Sequence, residues 1–400
     1  MLTRSILIAA ILIACQFGMA SSAFSWFHSG GVASCQGCHV GGHGTEDGLA
    51  YMAGSSAPLL KGSDPSSICL NCHSGPGGSQ LPSVFSFDGS ALTPGGDFYW
   101  LTKTFSWVGG TSPGARHGHN VVAQDFGLVP DPNKMVGPGG TYPSAQLSCI
   151  SCHDPHGRSG GGTRSGAPPV SVSGSYGDSP APGTNAGNYR LLGDQDYSVG
   201  GFSFNNPAPV ARQNSILPFA ETDASHVDYG SGISEWCANC HQGMLNSGGM
   251  GGGMSHHRAG DNVQLSSSVI SQYNSYVKSG DLSGTAATAY LQFVTFERGI
   301  IDPSLLSPQS TQGPDSNSNV SCLTCHRAHA SAFTSAGRWD FNAALLVDSH
   351  PAIGDSGATA ADVANSYYGR DIALEFGTGQ GPFCEKCHSG HGGMGGGMGM

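Results

Sequence analysis

Twelve cysteines of this 400-residue chain fall into six pairs separated by two residues, and a histidine follows the second cysteine of every pair. The pairs are Cys35/Cys38-His39, Cys69/Cys72-His73, Cys149/Cys152-His153, Cys237/Cys240-His241, Cys322/Cys325-His326 and Cys384/Cys387-His388. Two thiols at this spacing with an adjoining imidazole form the attachment signature of c-type haem. The thiols add across the two haem vinyl groups, and the imidazole reaches the iron. Paired C-x-x-C units also build zinc sites, and secreted chains use cysteines for disulfides. Neither chemistry needs histidine after every second cysteine, and histidine fills only 17 of 400 positions. The pattern assigns six covalent haem c groups, with His39, His73, His153, His241, His326 and His388 as proximal iron ligands.

The other face of each iron decides the chemistry. An open face binds small molecules or catalyses redox reactions, whereas a second imidazole closes the site and suits electron transfer. Eleven histidines lie outside the motifs: His28, His43, His117, His119, His156, His226, His256, His257, His329, His350 and His391. Six suffice for full bis-histidine ligation, so no open site is required and no catalytic residue is assigned. His156 and His329 each stand three residues beyond a motif histidine. That is too near to reach the opposite face of the same iron, so each is expected to serve a neighbouring haem. Methionine, the other common axial ligand, is concentrated in glycine-rich runs at 244–254 and 394–400. Those are poor places for a rigid ligand. The runs at 248–254 and 390–400 read as a linker and a flexible end rather than as a copper site completed by His256 and His391.

The elements that position these groups are sparse. Glycine and proline supply 63 and 23 residues, and hydrophobic residues 38%, against an average nearer 45–50%. Such a chain has much backbone entropy to overcome and little apolar material to do it with. Six large, flat, mostly apolar haems can supply part of the missing core. The expected fold is therefore mostly irregular, with a few short α-helices and minimal β-structure wrapped around a stacked chain of six haems. Apolar spacing predicts helices over 263–279 and 283–298. Another is expected over 359–368, opened by a Thr359/Asp362 cap, with a fourth over 339–347. Segments 158–189 and 301–319 read as loops. First cysteines of successive motifs lie 34, 80, 88, 85 and 62 residues apart, which excludes a solenoid of fixed period.

Charge narrows the partners. With 16 Lys+Arg against 27 Asp+Glu, the chain lacks the basic surface that nucleic acid requires. Only 11% of residues are charged, unlike disordered chains. Residues 1–23 read as a signal peptide: Arg4 gives the positive start, Ile6 to Ala14 the short apolar stretch, and Ser21-Ser22-Ala23 the cleavage site. A competing reading takes Leu12-Ile13-Ala14-Cys15 as a lipoprotein box that leaves Cys15 lipidated. The apolar stretch is too short to span a bilayer, so the expectation is an exported protein that is not transmembrane. It has one hexahaem domain over 24–389 and a Gly/Met-rich tail over 390–400.

Several longer strings carry a family resemblance: FHSGGVASCQGCH at 27–39, TPGGDFYW at 93–100, GHNVVA at 118–123 and PGGTYPSAQLSCISCHDPHG at 138–157. SEWCANCH at 234–241, SGDLSGTAATAYL at 279–291, CLTCHRAHASAF at 322–333 and YYGR at 367–370 continue it. Through them the chain resembles the hexahaem outer-surface c-type cytochromes of the OmcS type, which polymerise into conductive extracellular filaments. The resemblance implies an electron-transfer protein of the cell exterior, not an enzyme, whose six haems stack in one continuous chain toward acceptors such as metal oxides. It implies bis-histidine irons throughout, with His28, His43, His119, His156, His257 and His329 as distal ligands. It further implies a homopolymer in which His43 ligates the fifth-motif haem, on Cys322/Cys325 and His326, of the adjacent subunit. Here the chain departs from its relatives. Val40, Gly41 and Gly42 separate His39 from His43, where relatives have two residues. Arg327 and Arg370 are expected to offset haem propionate charge. The alternatives are a soluble multihaem electron shuttle that does not polymerise and a multihaem reductase, which would need an open iron.

Overall fold

The structure, a computed structural model, describes residues 38, 60–76, 82–155, 189–195, 197–213, 220–246 and 257–389. The segments read as signal peptide, lipidation site and Gly/Met tail lie outside these residues, as do 158–188 of the first predicted loop. Six α-helices are bounded among the described residues: α1 Pro65–His73, α2 Ile233–Cys237, α3 Gln242–Asn246, α4 Ser267–Ser275, α5 Ala360–Ser366 and α6 Ile372–Phe376. Three antiparallel two-stranded ladders pair β1 Phe105–Trp107 with β2 Gly110–Ser112, β3 Ser198–Val199 with β4 Phe202–Ser203, and β5 Val210–Gln213 with β6 Val227–Ser231. Short 3-10 turns and irregular chain make up the rest, as the composition led us to expect.

Local chemistry accounts for the helix starts. The Asp64 carboxylate accepts from the Ser67 amide at 2.9 Å and the Ser67 hydroxyl at 2.8 Å, and Pro65 opens α1 with its φ already set. Thr359 and Asp362 form the expected reciprocal capping box of α5. Helix α4 occupies only the middle of the predicted 263–279. Ser266 caps it, because the Val263 carbonyl already accepts from the Val320 amide and the Leu265 amide already donates to the Ser318 carbonyl. Its other end falls at extended Tyr276.

Two helix expectations need correction. Segment 283–298 is not a helix, and only the 3-10 turn Ala286–Thr288 forms there. Every residue from Ala289 to Glu297 is buried, whereas a surface helix buries one stripe. The segment threads the core instead, with Glu297 and Asn319 exchanging both backbone hydrogen bonds. Segment 339–347 is not helical either. Asp340 turns its carboxylate onto the Asn342 amide at 2.9 Å, a local bond that competes with helix formation, and a 3-10 turn forms only at Leu346–Asp348.

The few aromatic residues are concentrated. Trp100, Phe105, Phe293, Phe333, Trp339 and Phe383 are at most 2% exposed and centre one cluster. A smaller one, with Val227, Tyr229, Ile233 and Leu323, packs where β5 and β6 meet α2.

Candidate haem centres

The described motifs sit on two kinds of short support. The second lies on α1 and the fourth begins at the end of α2, whereas the third, fifth and sixth lie on the 3-10 turns Cys149–Ser151, Cys322–Thr324 and Phe383–Lys386. The two kinds dock in pairs. The Cys149 amide donates to Ser66 Oγ at 3.1 Å, and the Cys322 amide donates to Ser234 Oγ at 3.0 Å. In both cases the serine stands three residues before the first cysteine of the helical motif. Both receiving turns carry a reciprocal capping box, Ser148 with Ser151 and Ser321 with Thr324. The chain thus repeats one joint twice, a symmetry hidden from the motif spacings.

The joints bring thiols together. Cys69 meets Cys149 and Cys237 meets Cys322 within hydrogen-bond reach, which raises the Cys69 and Cys237 thiols and lowers their partners, Cys322 to about 7. The remaining links show as charge coupling. Cys38 raises Cys69, Cys240 adds to burial in raising Cys152, and Cys384 and Cys387 add to burial in raising Cys325. Through these cysteines, with Cys38 standing for the first motif, successive motifs are spatial neighbours in sequence order.

Cys72, assigned with Cys69 to the second haem, departs from the enclosed setting of its neighbours. It is exposed, as is Cys384, whereas the other described motif cysteines are half-buried. Cys72 lies in the last turn of α1, past the joint in which Ser66 and Cys69 meet the third motif. A thiol that adds to a haem vinyl group must be reachable by that group, so exposure suits attachment, and a bound haem would cover both thiols.

Each motif histidine must be turned so that one ring nitrogen keeps a free lone pair. A hydrogen bond from the other nitrogen does this. His73 Nδ1 donates to the Pro82 carbonyl at 2.9 Å, and His153, His241 and His326 donate to the carbonyls of Arg190, Pro138 and Ser335, each at 2.8 Å. With Nδ1 carrying the proton, Nε2 is the nitrogen whose lone pair would face an iron. Two of these carbonyls lie at strained backbone: Arg190 and Leu191 have φ of 49° and 55°, and Ser335 and Ala336 have 60° and 53°. Left-handed conformations cost non-glycine residues energy and persist where surrounding structure demands them. Both pairs occupy the same place relative to a 3-10 motif. The Asp154 amide donates to Leu191 and the Arg327 amide to Ala336, each at 2.7 Å. At the fourth motif the close approach needs glycine: a Cβ on Gly140 would lie 1.8 Å from the Cys240 carbonyl oxygen.

Three expected distal histidines each face a motif histidine. Ring centroids lie 5.9 Å apart for His119 and His241, 6.2 Å for His329 and His153, and 5.6 Å for His257 and His388. Imidazoles on opposite sides of one iron, at bonds of about 2 Å, stand roughly 6 Å apart, so the residues present fit a bis-histidine haem. His119 Nδ1 donates to the Ala328 carbonyl at 2.7 Å. His329 stacks on Phe98 at 4.8 Å, and a Cβ on Gly95 would meet its ring at 2.9 Å. Desolvation pushes His119 down to about 4, helped by His241, and His329 down to about 3, helped by His153. Both stay neutral, as ligation requires. His28, His43 and His156, together with Cys35 and His39 of the first motif, lie outside the described residues.

The other described histidines have different work. His117 is buried with both nitrogens engaged, Nδ1 donating to the Trp100 carbonyl at 2.9 Å and Nε2 accepting from Ser112 Oγ at 2.8 Å. His226 is buried against Tyr290 at 3.7 Å. His350 pairs with Asp355 at 2.6 Å and stacks on Trp107 at 3.8 Å.

Arg327, expected to be a basic loop residue, is instead buried against Glu221 at 2.7 Å, and Arg338 joins the same carboxylate at 3.0 Å. Burial alone would raise the Glu221 carboxyl, but Arg338 and Arg327 outweigh it and hold it below its ordinary value. The cluster keeps a net positive charge, and both guanidiniums retain a buried Nη2 without a hydrogen-bond partner. That leaves donors suited to a haem propionate. Arg370 pairs with Asp223 and Glu375 and keeps Nη1 unpartnered.

No established family profile matches the chain. A direct relative does: C-type cytochrome OmcS of Geobacter sulfurreducens is 38% identical over 432 aligned positions, covering 96% of this chain and 98% of the relative. The chain belongs to the OmcS family of c-type cytochromes. Two solved structures agree with the described fold. The outer membrane cytochrome S filament of Geobacter sulfurreducens superposes with a TM-score of 0.70 at 36% identity, covering 90% of this chain and 99% of the other. The OmcS nanowires of the same organism, solved by cryo-electron microscopy, give 0.69 at 37% identity, with the same coverage. The chain is thus an electron-transfer cytochrome, and its six C-x-x-C-H motifs supply cysteines for six covalent haems. Among the described residues no helix is long and apolar enough to cross a membrane.

Proposed function

We propose that the chain is a subunit of an extracellular cytochrome filament that conducts electrons through six stacked bis-histidine haems to acceptors such as metal oxides. The observation that carries this reading is the unbroken succession of six neighbouring motifs, which gives a path through the whole subunit. When bound, each haem supplies a one-electron iron couple. The protein's own part is to hold, order and close those irons. His119 with His241, His329 with His153, and His257 with His388 would each close one iron, which favours a carrier over an enzyme. The repeated joint extends the assignment. His156 holds the place in the third motif that His329 holds in the fifth, so by the same two-motif step it would serve the haem of His39. His28 then falls to His73. His43, from a neighbouring subunit, falls to His326.

A metal–ligand bond across subunits, in a head-to-tail contact that does not close, gives an open filament. Replacing His43 tests this. His43→Ala is expected to abolish filaments in negatively stained preparations while covalent haem content stays at six per chain and only one haem turns high-spin. Unchanged filaments with six low-spin haems would remove the inter-subunit ligand and leave a non-polymerising shuttle as the better reading.

A further inference from the structure

A second candidate metal centre lies outside the haem motifs. Carboxylate oxygens of Glu235, Asp261 and Glu297 all come within 4.8 Å of one another. No Lys or Arg among the described residues forms an ion pair with any of them. Arg298, the nearest cation in sequence to Glu297, is committed to Asp228 at 2.9 Å and to the Gln312 and Gly313 carbonyls.

The cluster is built rather than incidental. Glu297 is fully buried: one carboxylate oxygen accepts from the Ile233 amide at 2.7 Å, and the other, Oε2, is buried without a partner. Glu235 Oε2 is likewise buried and unpartnered, while its Oε1 accepts from the Asp261 amide at 2.9 Å. Asn319, 3% exposed, keeps Oδ1 unpartnered. Its backbone exchanges both hydrogen bonds with Glu297, which puts the two side chains on the same face. The backbone closes in as well, since a Cβ on Gly260 would lie 2.3 Å from Glu235 Oε1.

We propose that these residues form a calcium site, with Glu235, Asp261 and Glu297 as carboxylate ligands and Asn319 Oδ1 as a neutral one. An all-oxygen donor set of irregular shape suits Ca²⁺, whereas Mg²⁺ demands near-ideal octahedral geometry and soft metals prefer nitrogen or sulfur. The site joins three haem-bearing parts of one chain. Glu235 lies on α2 just before Cys237, Asn319 stands before the Ser321 cap of the fifth motif, and Asp261 lies four residues from His257, which faces His388. Bound calcium would brace the loop that aims His257. Because all four ligands belong to one chain, the inference stands whether or not the protein polymerises.

Without a cation, the cluster must hold a proton. Burial, with Asp261 and Glu235 alongside, pushes the Glu297 carboxyl up to about 9. Equilibrium dialysis of the haem-loaded, full-length protein against about 1 mM free calcium, in the range of extracellular sites, decides between the two. Metal content is read by mass spectrometry. Asp261→Asn keeps the oxygen that accepts from the Gly232 amide and lies on an exposed residue, and Glu297→Gln is isosteric, so both variants are expected to fold. Each is expected to bind one calcium fewer per chain than wild type, and chelator is expected to lower the wild-type melting temperature more than theirs. Wild-type calcium content retained by either variant would overturn the site, leaving Glu297 as a buried acid.

Discussion

His329 and His117 look alike in sequence, since both lie outside the motifs and in strings rich in small residues. Their surroundings separate them. His117 spends both ring nitrogens on Ser112 and Trp100, whereas His329 faces His153 across 6.2 Å. His329→Ala is therefore expected to keep six covalent haems by mass and to turn one high-spin in the visible and electron paramagnetic resonance spectra. His117→Ala is expected to leave all six low-spin while lowering stability by about 3 kcal/mol, through a cavity and two broken buried hydrogen bonds. A high-spin signal in the second variant and none in the first would reverse the assignment. The six C-x-x-C-H motifs stand out in the sequence, because covalent attachment demands fixed spacing. The carbonyls of Pro82, Pro138, Arg190 and Ser335, which orient the motif histidines, do not, because any residue can supply a carbonyl. PGGTYP at 138–143 gave the one usable signal, its glycines letting the loop close on Cys240.

Among the elements, short supports work here because they are joined in pairs. Ser66 and Ser234 each tie a helical motif to the amide of the next. Each serine replaced by alanine is expected to cost about 1 kcal/mol, read as a lower denaturation midpoint, with similar losses at the two joints. A loss at only one would argue against the repeat. The sequence showed the α5 cap, which depends on two residues three apart, and it also carried the Asp64-Pro65 start of α1. It misled over 283–298, where Ala287, Tyr290, Leu291 and Val294 mimic a helical stripe. The surrounding chain buries every side of 289–297, and burial from all directions cannot be read from a single segment. The unequal motif spacings exclude a repeat of fixed period, and they hide a joint that recurs while its loops vary in length.

At the scale of the whole molecule, charge must be balanced where haem displaces water. Glu221 holds Arg327 and Arg338 together from a distant segment, a link invisible in sequence. Glu221→Gln would leave two buried guanidiniums uncompensated, at a cost of about 3–5 kcal/mol near neutral pH. The native carboxyl lies below its ordinary value. Its contribution is thus fully present above the unfolded pKa, near 4.5, and is lost as pH falls from there through the native value. Unfolding measured between pH 7 and 3 should show the gap between wild type and variant narrowing below about pH 4.5. A gap independent of pH would mean that Glu221 acts by packing alone. The mostly irregular fold was legible from glycine content and six haem motifs together, since a chain that gains its core from cofactors needs few regular elements.

The continuous chain of six haems running from one subunit into the next is tested most directly by cryo-electron microscopy of the haem-containing extracellular fraction. Filaments with six haems per subunit repeat are expected, ordered as the motifs are, with His43 density reaching the iron of His326 in the adjoining subunit. Discrete particles, or filaments whose haem chain breaks at the subunit boundary, would contradict it.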